Sequence, residues 1–299
     1  MKNIGSSGAS PRRAGYFWLA TTPLVAAAVV MFIVSQSAAA GTDTTVGLGT
    51  AASYAVLAGT PKVANTGLTV INGDLGISPA AAVTGFRPGT VNGSIHAADA
   101  AAAQAQLDLT TAYNDAAGRA LTANVPATIG SAGIETGPLA PGVYKATTSL
   151  EVKGALTLDA KNDPNAVFIF QVGSALLTDS ASTVTLTNGA QACNVFWQVT
   201  SSATLGTEST FTGTILALSS ITVTTGDTVF GRVLARNGAV TLDDDHISVP
   251  TCATGPSPSP SPTGTSPSPS PTGTSPSPSP TGTSPSPSPT GTSPSPSPT

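Results

Sequence analysis

Few side chains in this 299-residue chain are equipped for acid–base or metal chemistry, since only 9% are charged and there are two histidines and two cysteines. His246 follows Asp243, Asp244 and Asp245, a run that could hold a cation but reads better as a solvated turn. His96 stands at the head of an alanine-rich stretch, where a solvated or capping role is expected rather than that of a base. Asp159, Asn162, Asp163 and Asn165 resemble a calcium loop only loosely, because their spacing misses the D-x-[DN]-x-[DN]-G pattern. Glu208 and Asp227 could pair as the two carboxylates of a glycosidase, yet no second feature supports that role. Serine-nucleophile, phosphate-loop and zinc patterns are all missing from the sequence. The chain reads as a non-enzyme, with no catalytic residue, no metal and no cofactor.

What remains is hydroxyl chemistry. From Ser201 the sequence runs SSATLGTESTFTGTILAL and then SSITVTTGDTVFGRVLAR, so that Ser201 recurs at Ser219 and Gly213 at Gly231. Leu205 matches Val223, Phe211 matches Val229 and Ile247, Ile215 matches Val233, and Leu216 matches Leu234. An earlier copy begins at Ser174, and FIFQV (168–172) repeats as VFWQV (195–199), with the insertion TNGAQACN between copies. Fixed self-similarity is the mark of a solenoid, and the step is too short for paired helices. It suits one β-helix coil of three short strands.

Alternation along a strand then sorts the side chains. Where Phe211 and Val229 point inward, Thr210, Thr212 and Thr228 point outward; where Leu205, Ile221 and Val223 point inward, Thr204, Thr222 and Thr224 point outward. Same-facing residues would lie roughly 6.6–6.8 Å apart along a strand and roughly 4.7–4.9 Å apart between coils. The result is a rigid grid of methyls and hydroxyls, suited to a repetitive solid surface rather than a small solute.

Other elements frame that grid. Val70, Leu75 and Ile77 are expected in coil interiors, as is Trp197. From about Ile95 to Leu121, Ala98, Ala102, Ala105, Leu109 and Tyr113 fall at helical spacing, which predicts one long helix capped near Asn92 or Ser94 and lying along the solenoid. The chain opens with Lys2, Arg12 and Arg13, an apolar run from Tyr16 to Val34, and Ala38-Ala39-Ala40. That reads as a signal peptide over 1–40, the alternative being an uncleaved anchor; either way the protein is exported. Residues 1–40 hold three of the eleven basic residues and none of the fifteen acidic ones, leaving about −7 on the remainder. With no basic patch, nucleic acid is not an expected partner. In an exported chain the pair Cys193 and Cys252 reads as a disulfide. Residues 41–254 form one domain, and 255–299 repeat SPSPSPT spaced by GT, a disordered, polyproline-rich spacer.

The order LGTAASYAVLAG, INGDLGISPAAAVTGF, an alanine-rich stretch ending AYNDAAGRA, LAPGVYK, VFIFQV, NVFWQV, GTILA and GRVLARNGAVTLDDDHIS, closing at Cys252, resembles the bacterial and fungal ice-binding family with a discontinuous β-solenoid. The likeness covers about residues 46–252. It implies a mostly β protein, a three-sided right-handed β-helix with one helix packed alongside, secreted, and adsorbing to ice through a flat threonine-rich side. The family's T-A/G-x-T/N motif is matched by Thr66-Gly67-Leu68-Thr69 and Thr225-Gly226-Asp227-Thr228, and at its ends by Thr207/Thr210 and Ser180/Thr183. The candidate ice-contacting residues are therefore Thr66, Thr69, Ser180, Thr183, Thr204, Thr207, Thr210, Thr222, Thr225 and Thr228. The Thr204/Thr222/Thr241 row competes with the Thr207/Thr210/Thr225/Thr228 row for the binding side, and Glu208 and Asp227 would weaken the latter. Ice is the expected partner of a monomer, with association to the cell envelope through the C-terminal tail. The competing reading is an extracellular adhesion or carbohydrate-binding module.

Overall fold

The computed structural model describes residues 44–131 and 137–253; the signal segment and the proline-rich tail lie outside them. The described chain is mostly β, with parallel strands and one α-helix. An eight-stranded sheet contains Lys62–Thr66, Val240–Asp243, Ile221–Val223, Ala203–Leu205, Leu176–Thr178 and Leu150–Val152 in its middle, flanked by Ala82–Thr84 and Thr128–Ile129. A fourteen-stranded sheet divides into two limbs, joined by the long strands Thr210–Ala217 and Thr228–Ala235, which run through both.

Three successive strands recur in one order, as in Tyr54–Ala58, Lys62–Thr66 and Val70–Asn72 or Phe168–Val172, Leu176–Thr178 and Thr183–Thr187: one in the limb that the helix covers, the helix limb, one in the eight-stranded sheet and one in the other, open limb. The repeat read from the sequence is the strand register itself: Phe211 pairs with Val229, Ile215 with Val233 and Leu216 with Leu234. Phe168–Val172 pairs with Val195–Val199 residue for residue. The chain is not stacked in sequence order. Tyr54–Ala58 pairs with Thr228–Ala235, Lys62–Thr66 with Val240–Asp243, and Val70–Asn72 with His246–Ser248, so the first strands sit beside the last.

The interior is a ladder of apolar and aromatic side chains. Phe170 stacks on Trp197 at 4.0 Å between ring centroids, and Tyr144 and Phe211 extend the row at either end. Trp197 is fully buried, and its Nε1–H donates to the Thr212 carbonyl at 3.0 Å. Leu75 and Ile77 are interior as expected, but Ile71 rather than Val70 is buried, and Val70 lies on the open limb in line with His246.

The helix spans Ala100–Gly118, shorter than the 95–121 expected. Ile95–Ala97 instead pairs with Leu75–Ile77 as a strand, Ala98 takes a left-handed φ of 54°, and Asp99 is the cap, accepting from the Ala102 N–H at 2.8 Å. Alanine content cannot reveal this, because the competing interaction is a backbone ladder with a strand twenty residues away in the same chain. Ala105, Leu109, Ala112, Tyr113 and Ala116 pack on Leu57, Val143, Ile169, Phe196, Leu216 and Leu234, covering the helix limb. The disulfide forms between Cys193 and Cys252, and Gln191 holds Ala253 from both sides, donating to its carbonyl and accepting from its N–H.

Candidate functional site

The helix seals one face, leaving two exposed sheet faces on which hydroxyls are lined up. On the eight-stranded sheet, register places Thr84, Ala64, Thr241, Thr222, Thr204, Leu177, Glu151 and Thr128 side by side in one row. Eight strands at the usual interstrand spacing make that row about 33 Å long. Beside it, at the edge of the sheet, Ser180, Thr207, Thr225, Asp243 and Thr66 form a second row, in which the Thr207 hydroxyl donates to Ser180 Oγ at 2.9 Å. Thr225 donates to Asp243 in the same row.

On the open limb the corresponding row is Ala155, Thr183, Thr210, Thr228, His246, Val70 and Thr90. Its next row includes Phe230, 51% exposed, flanked by Thr212 and Ser248. Thr212 was expected outward but is buried, its hydroxyl donating to the Val184 carbonyl at 3.0 Å. The residues Thr207, Thr210, Thr225 and Thr228, read as one row, thus divide between two faces: Thr207 and Thr225 border the eight-stranded sheet, and Thr210 and Thr228 begin the open limb.

Thr69 is a correction. It is fully buried and lies at the position of Asp245, not of Thr228, because Leu68 is an extra residue in that turn. Its hydroxyl oxygen accepts from the Asp245 N–H at 3.0 Å, so it cannot reach a surface ligand. The motif match at Thr66–Thr69 holds in letters and fails in register.

The turn joining the two faces has its own order. Ala181, Glu208, Gly226, Asp244 and Gly67 stack there, all with left-handed φ between 55° and 81°. Behind them Ser182, Ser209, Asp227, Asp245 and Thr69 form a buried polar ladder. One Asp227 oxygen accepts from the Ser209 N–H at 2.7 Å and its hydroxyl at 2.8 Å, while the other accepts from the Thr224 N–H. Asp245 repeats the pattern, accepting from Asp227 N–H and Asp243 N–H. Burial pushes the Asp227 carboxyl up and drives Asp245 up to about 7. Asp227 therefore does not lie on the face it was expected to weaken; Glu208 is exposed at the turn. The ladder leaves a signal in the sequence that the pattern of apolar residues does not show: 209, 227 and 245 follow the repeat's own step of 18.

The other groups considered for chemistry are engaged structurally. His96 Nδ1 lies 2.7 Å from Asp99, the helix cap. Asp159 is bound by Lys161 and Asn188, and Lys161 holds its carboxyl down at about 2. Asp163 accepts from the Asn165 N–H at 2.9 Å. Among the described residues no three His, Cys, Asp or Glu side chains are grouped to hold a metal ion.

Residues 56–248 match the protein family described as Ice-binding-like. The chain is 50% identical over 212 residues to an ice-binding protein of Nostoc sp. (strain HG1), covering 70% of this chain and 76% of that one. It is 34% identical over 220 residues to an ice-binding protein of Flavobacterium frigoris (strain PS1), covering 69% and 76% respectively. A crystal structure of an ice binding protein from an Antarctic biological consortium superposes with a TM-score of 0.65 at 48% identity, covering 70% of this chain and 93% of that one.

Proposed function

The chain belongs to the ice-binding-like family, and from that premise we propose that it adsorbs to ice through its eight-stranded sheet and so inhibits ice growth and recrystallisation. The observation that carries the choice of face is the in-register row Thr204–Thr222–Thr241, bordered by Thr207, Thr225 and Thr66. Methyls and hydroxyls at fixed spacing on a stiff sheet order a layer of water that can merge with a lattice. Because the grid is preorganised, many weak contacts form with little loss of conformational freedom. A pinned crystal front must curve between bound molecules, which slows its advance.

The open limb is the poorer platform. His246 and Val70 interrupt its threonine row after Thr183, Thr210 and Thr228, and Phe230 rises beside it. We read the two parallel sheets as the three sides of a right-handed, discontinuous β-solenoid, consistent with the handedness of parallel crossovers. Export by the N-terminal segment, a monomeric domain without enzymatic activity and a tail that spaces it from the cell envelope complete the reading.

The test compares Thr222→Tyr with Thr228→Tyr in an ice recrystallisation inhibition assay with thermal hysteresis on the same samples. Thr222→Tyr is expected to lose most activity with the fold retained by circular dichroism, and Thr228→Tyr to keep it. The opposite result moves the site to the open limb. A blank from the folded, disulfide-intact wild type removes ice binding altogether.

A further inference from the structure

We propose that the groove between the C-terminal half of the helix and the sheet beneath it binds a small carboxylate, a site separate from the ice-adsorbing face. Lys145, Gln171 and Gln198 stand at one register position on three adjacent strands of the helix limb. They open into a cavity of ≈ 240 Å³ that Tyr113, Ala117 and Thr200 also line. Gln171 has its donor engaged there: its Nε2 donates to the carbonyls of Ala116 at 3.0 Å, Ala117 at 3.3 Å and Arg119 at 3.0 Å, closing the helix end.

Its neighbour makes no such bond. Gln198 is buried as a residue, but its amide atoms are not sealed from solvent and have no hydrogen-bond partner among the described residues, so they stand open to the cavity. The Tyr113 hydroxyl is likewise without a described partner, and the Lys145 ammonium has no carboxylate within ion-pair distance among those residues. The Thr200 hydroxyl is taken by the Val172 carbonyl.

Three unpaired polar groups therefore converge, and together they specify a ligand. An ammonium, a phenol hydroxyl and an amide offer several donors, and no carboxylate lines the cavity. A second cation, the Arg236 guanidinium, lies over the Tyr113 ring at 4.8 Å from its centroid. The chemistry fits a compact, acceptor-rich anion with a planar carboxylate: its oxygens take the Lys145 and Tyr113 donors, and hydroxyls next to it use both ends of the Gln198 amide. The cavity lies just below the usual range for ligand pockets, about 300–1,000 Å³, which limits the occupant to roughly the size of one sugar acid. The same carboxylate could arrive as a free hydroxy acid or as a uronate unit of an acidic polysaccharide.

The experiment is a ¹⁵N–¹H NMR titration of the full chain with D-glucuronate, with D-glucose as the uncharged control. The Gln198 side-chain NH₂ pair is expected to shift saturably with glucuronate and not with glucose. Lys145→Ala, at an exposed side chain, is expected to weaken binding about tenfold, in keeping with the strength of charge-assisted hydrogen bonds. Gln198→Leu should weaken it as well, with the backbone spectrum serving as the check on folding. Tighter binding of polygalacturonate per uronate unit points to a glycan as the source, and equal binding to a free acid. Absence of a saturable shift, an equal response to glucose, or affinity unchanged in Lys145→Ala each overturns the proposal.

Discussion

Asp245 shows how a single residue sets a condition on the whole fold. Its carboxylate is buried at the turn and holds two backbone N–H groups, while burial raises its pKa from the ordinary 3.8 to about 7. A carboxyl that takes up its proton more readily when folded stabilises the fold fully below about pH 3.8 and loses that contribution as pH rises through about 7. Asp227 is shifted in the same direction, again by burial. Asp159, Asp99 and Asp108 act oppositely, through hydrogen bonds that hold them down, and their contribution is lost only in acid, for Asp159 as pH falls through about 2. Between pH 5 and 8 Asp245 decides the slope, so the melting temperature is expected to fall across that interval. Asp245→Asn should flatten the fall, at the cost of one backbone acceptor; a wild-type melting temperature that rises from pH 5 to 8 would contradict the assignment.

At the scale of elements, the turn between the two sheets depends on backbone shape and the coil interior on close approach. Gly226 has a φ of 81°, and an added Cβ would meet nothing nearer than Glu208 Cγ at 3.6 Å. Gly226→Ala therefore has room and suffers only the left-handed backbone, an expected loss of about 1–2 kcal/mol by urea denaturation. Gly231 is the reverse case, since its Cβ would fall 1.8 Å from the Gly213 carbonyl oxygen. Gly231→Ala is expected to prevent native folding, seen as loss of cooperative melting. Equal behaviour of the two variants would mean that the stacking of Thr210–Ala217 on Thr228–Ala235 is looser than the structure has it. At this scale the sequence was readable where the repeat is regular. It misled where a turn gained one residue, as at Leu68, or where Ile95–Ala97 found a strand partner instead of joining the helix.

For the whole molecule, the Cys193–Cys252 bond closes a loop of 59 residues and fixes the end of the described chain against the segment between Thr183–Thr187 and Val195–Val199. Loop-closure entropy alone puts its contribution at about 4 kcal/mol, so thermal melts with and without reductant should differ by many degrees, and Cys252→Ser should match the reduced protein. Overlapping melts would show that the disulfide is incidental to stability. The sequence by itself determined the repeat, and with it the parallel register, the aromatic interior and the mostly β character, because a fixed step forces equivalent residues into equivalent environments. It also placed Thr204, Thr222 and Thr241 in one row. Only the tertiary structure decided which hydroxyls are available: Thr69 and Thr212 turn inward to backbone partners, while Thr207 and Thr210, three residues apart, part at a turn onto different faces. It decided too that the first strands stack on the last and that the helix begins only at Ala100, after Ile95–Ala97 has paired as a strand. These outcomes rest on hydrogen bonds and packing between segments up to 180 residues apart, and such long-range pairing leaves no period in the sequence to read.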